Sequence, residues 1–299
     1  MDLIDKGILL DLIRNCRITY RELSIKHGIT ANAIRNRIRN LEKDGVISAY
    51  KINFSSGMDE REYVYGVIKS DGSQDDITFV ENMGQCPGVV AAAAYTGGVY
   101  YFVAHYRTPE DLVSIRKYMT RLESVKDLEI HTIITGIGEK IKLSKYQKRI
   151  IRVLLENPRM TIAEIADRAR LTAKRVRKNL RKLEESSAVR FSVEIELGAA
   201  SGIPFILEIE IDDQVLTYYE IEEWFRENHN LAFWEVYCAA LEPKLFALLA
   251  VDTLTELNDI IRDVRKQSFA KNVISRISTY HSYFPEIEKK KILELTKLE

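Results

Sequence analysis

Two stretches of the chain carry basic and amide side chains at helical spacing: Asn32, Arg35, Asn36, Arg39, Asn40 and Lys43 in one, and Lys174, Arg177, Lys178, Arg181 and Lys182 in the other. Guanidinium and amide groups can bond base edges in a major groove, and ammonium groups neutralise phosphates, so these types on one helix face suit contact with double-stranded DNA. A solvated charged helix is the plain alternative for either stretch alone. Residues that could do other chemistry are not arranged for it. His27, His105, His131, His229 and His281 form no H-x-x-x-H or H-E-x-x-H pair, and Cys16, Cys86 and Cys238 are far apart with no C-x-x-C spacing. No metal site or disulfide framework is expected, and the thiols read as buried. The chain has no Walker loop, no G-x-S-x-G and no dinucleotide fingerprint. Hence no catalytic residue is assigned, no cofactor is expected, and the chain is expected not to be an enzyme.

The elements that must position the two basic faces are themselves repeated. Residues 19–47 and 161–189 align without a gap at a constant offset, pairing Thr19 with Thr161, Glu22 with Glu164, Thr30 with Thr172, Arg35 with Arg177 and Arg39 with Arg181. Apolar positions pair as well, Ile34 with Val176 and Ile38 with Leu180, so one structural unit is used twice. Thr19-x-x-Glu22 and Thr161-x-x-Glu164 each fit a capping box that starts a short helix. Upstream, Ile8, Leu9, Leu12 and Ile13, and again Ile150, Ile151, Leu154 and Leu155, recur at helical spacing. Downstream, Gly28 in the first copy and a short turn in the second lead to Thr30 and Thr172, each placed to cap a third helix. In that helix Ile34, Ile38 and Leu41, or Val176, Leu180 and Leu183, form the buried stripe and leave the basic face outside. VISAYKINF (46–54) and AVRFSVEIEL (188–197) then read as a small β-wing. Each cassette is a winged helix-turn-helix, and two in register weigh against the solvated-helix alternative.

Composition sets the outer bounds. At 299 residues, with 46% apolar and 29% charged, the chain is ordinary for globular material and long enough for several domains. No apolar run approaches the roughly 20 residues that cross a bilayer, and the first residues do not read as a signal peptide, so no membrane partner and a cytoplasmic location are expected. The formal net charge is zero, which confines any nucleic-acid surface to a local patch.

After each cassette the pattern changes to βαββαβ. Strands are expected at 62–70, 88–96, 99–107 and 127–135 with helices at 75–84 and 109–122, and the order recurs at 204–211, near 215–228, 232–240, 244–251, near 254–266 and 272–282. The expected fold class is α+β, with two winged helix-turn-helix domains alternating with two ferredoxin-like βαββαβ domains. The domains fall at 1–57, 58–140, 141–200 and 201–284, with a helical tail at 285–299. Gly136 and Gly138 mark the junction between the copies, and Ile292, Leu295 and Leu298 make the tail either solvated or able to dock on a neighbour.

With LEKDGVISAY (41–50) after the third helix and the turn Thr96-Gly97-Gly98 between the middle strands, the chain resembles the Lrp/AsnC feast/famine regulators, in an archaeal-type, tandem-duplicated form. The resemblance covers nearly the whole chain, twice. It implies a DNA-binding transcriptional regulator whose βαββαβ domains pair between subunits and bind an amino acid or related effector. By that resemblance Thr96, Gly97, Gly98 and Tyr100 are the candidate effector residues. Tyr100 stands where the family's T-G-x-x-D turn carries a carboxylate, and the second copy's turn, Leu241-Glu242-Pro243-Lys244-Leu245, has lost its glycines. A homo-oligomer, a dimer first of all, is expected, with intramolecular or swapped pairing of the two halves. Sirohaem decarboxylases share the two-domain architecture and give the alternative reading of a tetrapyrrole-modifying enzyme, although their Arg/His-rich substrate loop has no counterpart here. A degenerate partner protein is a third reading.

The copies differ where it matters for DNA. Asn32, Asn36 and Asn40 form a row on the first helix, and Lys174, Lys178 and Lys182 occupy the aligned places on the second. Amides can pair bidentately with adenine while lysine mostly meets phosphate, so copy one is expected to specify sequence and copy two to clamp.

Overall fold

The computed structural model describes residues 1–134 and 138–298; Gly136, expected at the junction, lies outside them. The chain divides into two compact units, and each takes a part of both copies: Met1–Glu60, Gly136–Ala200 and Glu288–Glu299 in the first, Arg61–Thr135 and Ser201–Ile287 in the second.

In the first unit, copy one supplies α1 (Leu3–Arg14), α2 (Tyr20–His27), α3 (Ala31–Lys43), β1 (Ile47–Phe54) and the short α4 (Ser56–Asp59). In the second unit, the first half runs β2 (Glu62–Ser70), α5 (Asp76–Gly84), β3 (Val89–Tyr95), β4 (Val99–Tyr106), α6 (Pro109–Met119) and β5 (Val125–Thr132). Copy two then returns to the first unit with α7 (Lys145–Leu154), α8 (Ile162–Ala169), α9 (Ala173–Glu185), β6 (Val189–Ile195) and α10 (Leu197–Ser201). The second half of the second unit is β7 (Ile203–Ile211), α11 (Tyr218–Asn228), β8 (Phe233–Cys238), β9 (Lys244–Val251), α12 (Leu254–Arg265) and β10 (Ala270–Tyr283), and α13 (Glu286–Leu295) follows.

Local chemistry explains the helices of the first unit. Both expected capping boxes form at the starts of α2 and α8, with Glu22 N and Glu164 N donating to the threonine hydroxyls at 3.1 and 3.3 Å and each glutamate accepting from its own cap. The strands expected as wings take a different partner. A wing within one copy needs two strands; each copy supplies one here, and β1 pairs antiparallel with β6 from Ile47 opposite Ile195 to Phe54 opposite Val189. The ribbon buries Ile47, Ile52 and Phe54 on one strand and Val189, Phe191, Val193 and Ile195 on the other, which satisfies edges that would otherwise stay open. The copies are thus joined within one chain.

A pair of aligned arginines completes the joint. Arg17 donates from Nη2 to Met160 O at 3.0 Å and from Nη1 to Pro158 O, and its Nε lies 3.4 Å from Glu184. Arg159, its counterpart in copy two, lies over the rings of Tyr20 and Tyr50 at 5.1 and 5.4 Å. Each reaches into the other copy. The tail helix α13 docks on its own chain: Ile292 is buried, and Lys148 and Arg152 of α7 donate to Lys297 O at 3.0 Å and Leu293 O at 3.5 Å. Cations there meet the orphan carbonyls at the helix C-terminus.

In the second unit the strands form one sheet in the order β5-β2-β4-β3-β10-β7-β9-β8, which is two ferredoxin-like 4-1-3-2 sheets joined edge to edge through β3 and β10. A bridge between Ile133 and Ala239 brings the far ends together. Phe205, Leu207, Ile209 and Ile211 of β7 point into a core closed by α11 and α12, as their alternation with acidic residues predicts. On the opposite face Tyr65 stacks on Phe246 at 4.5 Å and on Tyr237 at 4.9 Å, joining the halves through aromatic rings. Lys244 bonds Glu208 at 3.1 Å and Glu129 at 3.3 Å on that face. Lys69, at 2.8 Å, holds the Glu129 carboxyl down to about 2.

Candidate nucleic-acid interface

The helices α3 and α9 begin on the expected caps. Thr30 Oγ1 accepts from Ala33 N at 3.1 Å and Thr172 Oγ1 from Arg175 N at 3.3 Å. The turn before each helix needs a left-handed residue; Gly28 supplies it in copy one with φ 67°, whereas Arg170 adopts φ 51° in copy two, a conformation that strains a side-chain-bearing residue. The stripes Ile34, Ile38, Leu41 and Val176, Leu180, Leu183 are buried. Opposite them, Asn32, Arg35, Asn36, Arg39, Asn40 and Lys43, and Lys174, Arg177, Lys178, Arg181 and Lys182, are all exposed. Two of the arginines are steadied locally: Arg35 bonds Asn32 Oδ1 at 2.5 Å, and Arg181 bonds Glu185 at 2.6 Å.

The surroundings of the two faces differ. In copy one, Arg37 of α3 bonds Asp2, the N-cap of α1, and Asp5 within it at 2.8 Å each, and these carboxylates raise its already high pKa. Asp2 is held below the usual carboxylate range, first by the Asp5 backbone N–H and then by Arg37. In copy two the aligned residues are Asn179, Ser144 and Gln147. Asn179 bonds back to Arg175 O, at 2.8 Å, and Gln147 closes a capping box on Ser144. A recess of about 570 Å³ opens between them, bordered by Lys142, Arg175, Lys178 and Lys182. Residue-by-residue reading missed Lys142, Arg175 and the recess. Their signal lay in the alignment, where two acids and an arginine in copy one face three neutral residues in copy two.

The four candidate effector residues fall at the join between the halves of the second unit. Thr96 N donates to Ile277 O at 2.9 Å and Thr96 Oγ1 accepts from Ile277 N at 3.2 Å, which ties the turn to β10. Gly97 and Gly98 have φ 84° and 67° and make the tight turn between β3 and β4. Tyr100 does not stand beside them at the surface. It is 1% exposed, with its ring against Phe79 and its hydroxyl donating to Asp76 Oδ1 at 2.6 Å and accepting from Gln74 Nε2 at 2.9 Å. Burial pushes its pKa up to about 12. The histidines lie apart: His105, His131 and His281 are on strands, and His27 and His229 pair with Asp11 and Asp263 at 2.9 and 3.0 Å. Among the described residues the cysteines are buried, no acid–histidine–cysteine cluster could hold a metal, and no helix is long and apolar enough to cross a membrane.

Comparison with known proteins agrees with this geometry. The family model for winged helix-turn-helix DNA-binding domains matches residues 1–48 and again 143–190. An HTH-type transcriptional regulator of Pyrococcus horikoshii is 27% identical over 147 residues, which is 48% of this chain and 97% of that protein. The regulator LrpB of Bacillus subtilis is 42% identical over 52 residues, 17% of this chain and 35% of LrpB. Among solved structures, the siroheme decarboxylase NirDL matches with a TM-score of 0.59 at 19% identity, covering 98% of both chains. That likeness concerns the fold, and it corrects the expectation that the chain is not an enzyme: an enzyme is built on this architecture over its whole length.

Proposed function

We propose that the chain, which matches the winged helix-turn-helix DNA-binding model twice, is a tandem-duplicated, sequence-specific DNA-binding transcriptional regulator of Lrp/AsnC type in which α3 and α9 enter the major groove. The observation that carries the reading is the pair of capped third helices, each exposing cations or amides opposite a buried stripe. Asn32, Asn36 and Asn40 read base edges with Arg35 and Arg39 beside them, and Lys43 meets the backbone. Lys174, Lys178 and Lys182 meet phosphates, with Arg177 and Arg181 flanking them. Because the two faces differ, one chain prefers an asymmetric site, and a dimer of chains would restore a palindrome across four cassettes. Thr96, Gly97, Gly98 and Tyr100 remain the effector candidates, for an amino acid or related molecule. Titration of the full chain with free amino acids tests them, and unchanged heats throughout would remove them.

A mobility-shift assay at low salt on the protein's own promoter region tests the DNA reading. A sequence-dependent shift supports it; no shift, or one equal for every sequence, contradicts it. A second reading, a tetrapyrrole-modifying activity, is favoured by the whole-chain likeness to NirDL. It requires a visible-band shift when siroheme is added and consumption of that substrate.

A further inference from the structure

The recess beside α9 overlaps the exposed row proposed to face DNA, sharing Lys178 and Lys182 with it, and adds Lys142 and Arg175. Ile141 and Tyr146 give it an apolar wall, and its charged lining residues are all cationic. Lys142 comes from the segment before α7, and Arg175, Lys178 and Lys182 stand along one side of α9; among the described residues no carboxylate lines it. Among the described residues Lys142, Lys178 and Lys182 have no ion-pair partner, and Arg175 lies over the Tyr146 ring at 4.5 Å. Uncompensated ammonium groups around a concave surface raise the local positive potential and concentrate anions.

The aligned place in copy one makes this informative. There Arg37 is clamped by Asp2 and Asp5, two carboxylates that more than offset its charge. Copy two keeps the fold and replaces all three by Ser144, Gln147 and Asn179, neutral groups that can donate and accept hydrogen bonds without cancelling the lysines. A volume of about 570 Å³ lies within the range of small-ligand sites and suits an oligophosphate or a nucleotide.

From this we infer that the recess binds a small oligophosphate anion, through Lys142, Arg175, Lys178 and Lys182, and that its occupancy withdraws Lys178 and Lys182 from DNA. The regulatory half of the statement rests on the proposed DNA-binding reading; the binding half does not. The shared chemistry is a run of phosphate groups, which a nucleoside triphosphate or an inorganic polyphosphate can supply.

The test is calorimetric titration of the full chain with ATP and, separately, with inorganic tripolyphosphate at fixed ionic strength. One of the two binds at one site per chain, and the tighter of them identifies the source. Ser144→Asp with Asn179→Arg, which copies the Asp2–Arg37 pair into copy two, lowers that affinity at least tenfold. So does Lys142→Ala with Arg175→Ala, two exposed changes that leave the core alone, and thermal melts verify the fold of both. Absence of binding by either probe overturns the inference, as does binding that survives both variants. DNA shifts without probe are measured alongside. If the DNA shift is intact and no probe binds, only the recess assignment fails; if no DNA shifts, the functional reading fails. With both present, the bound probe raises the DNA concentration needed for half-shift at least threefold over sulfate at equal ionic strength, and no excess over sulfate overturns the coupling.

Discussion

Helices α3 and α9 occupy the same position in two copies of one cassette, and they keep the same inside while changing the outside. Their buried stripes match, Ile34, Ile38 and Leu41 against Val176, Leu180 and Leu183. Their exposed rows do not, with Asn32, Asn36 and Asn40 against Lys174, Lys178 and Lys182, and neither do their neighbours, with Asp2, Asp5 and Arg37 against Ser144, Gln147 and Asn179. Packing constrains volume and shape inside, so substitutions there keep bulk, while the surface is free to take a different partner chemistry. The difference teaches that duplication preserved the scaffold while the exposed chemistry diverged.

The largest effects test the part held in common. Ile38→Ala and Leu180→Ala, at aligned positions 1% and 4% exposed, should each cost about 2–5 kcal/mol in urea unfolding. Because β1 and β6 form one ribbon across the copies, both should shift a single transition of the first unit. Separate transitions for the two copies would break the picture of a shared unit. Arg17→Ala should cost about 3 kcal/mol, since it removes bonds to two carbonyls of copy two and the ion pair with Glu184. Arg159→Ala, which removes cation–π contacts with the Tyr20 and Tyr50 rings, should cost less, about 1 kcal/mol. Equal losses would mean that the joint is more symmetric than the contacts imply.

Next come the contacts that differ. Asn36→Ala should flatten the preference among DNA sites by about 1–3 kcal/mol in competition binding, the worth of one bidentate base contact. Lys178→Ala should weaken all sites alike and reduce the salt slope by about 0.9. In the second unit the copies meet through Lys69, Lys244, Glu129 and Glu208. Glu129 is ionised more readily folded than unfolded, so its contribution is present at neutral pH and is lost as pH falls from the usual carboxylate range towards about 2. Lys69→Ala should flatten that acid limb in melts; an unchanged limb would assign it elsewhere. The smallest effect is Arg170→Gly, which relieves a left-handed residue and should stabilise by no more than about 1 kcal/mol, whereas Gly28→Ala should destabilise by a similar amount.

Much of this was legible before any coordinates. The threonine caps, glutamate boxes and apolar stripes are local signals, and the helices they mark formed; the βαββαβ order followed from strand alternation. Pairings across the chain were not legible. VISAYKINF carries the period of a strand and nothing that names AVRFSVEIEL as its partner, so a wing within each copy was the natural reading. Tyr100 looked available beside a glycine turn, and only the packing of α5 turned its hydroxyl inward to Asp76. The recess depends on what stands opposite α9, which helical periodicity does not report. The architecture shared with a decarboxylase is legible in the domain order, with no matching substrate-loop pattern beside it.

The central claim, that copy one specifies sequence while copy two clamps, is tested most directly by selecting sites from random DNA with the parent chain, Asn36→Ala and Lys178→Ala. The account predicts a defined motif for the parent, a blurred one for Asn36→Ala, and for Lys178→Ala the parent's motif recovered at lower affinity. Equal blurring by both variants, or none by Asn36→Ala, would contradict it.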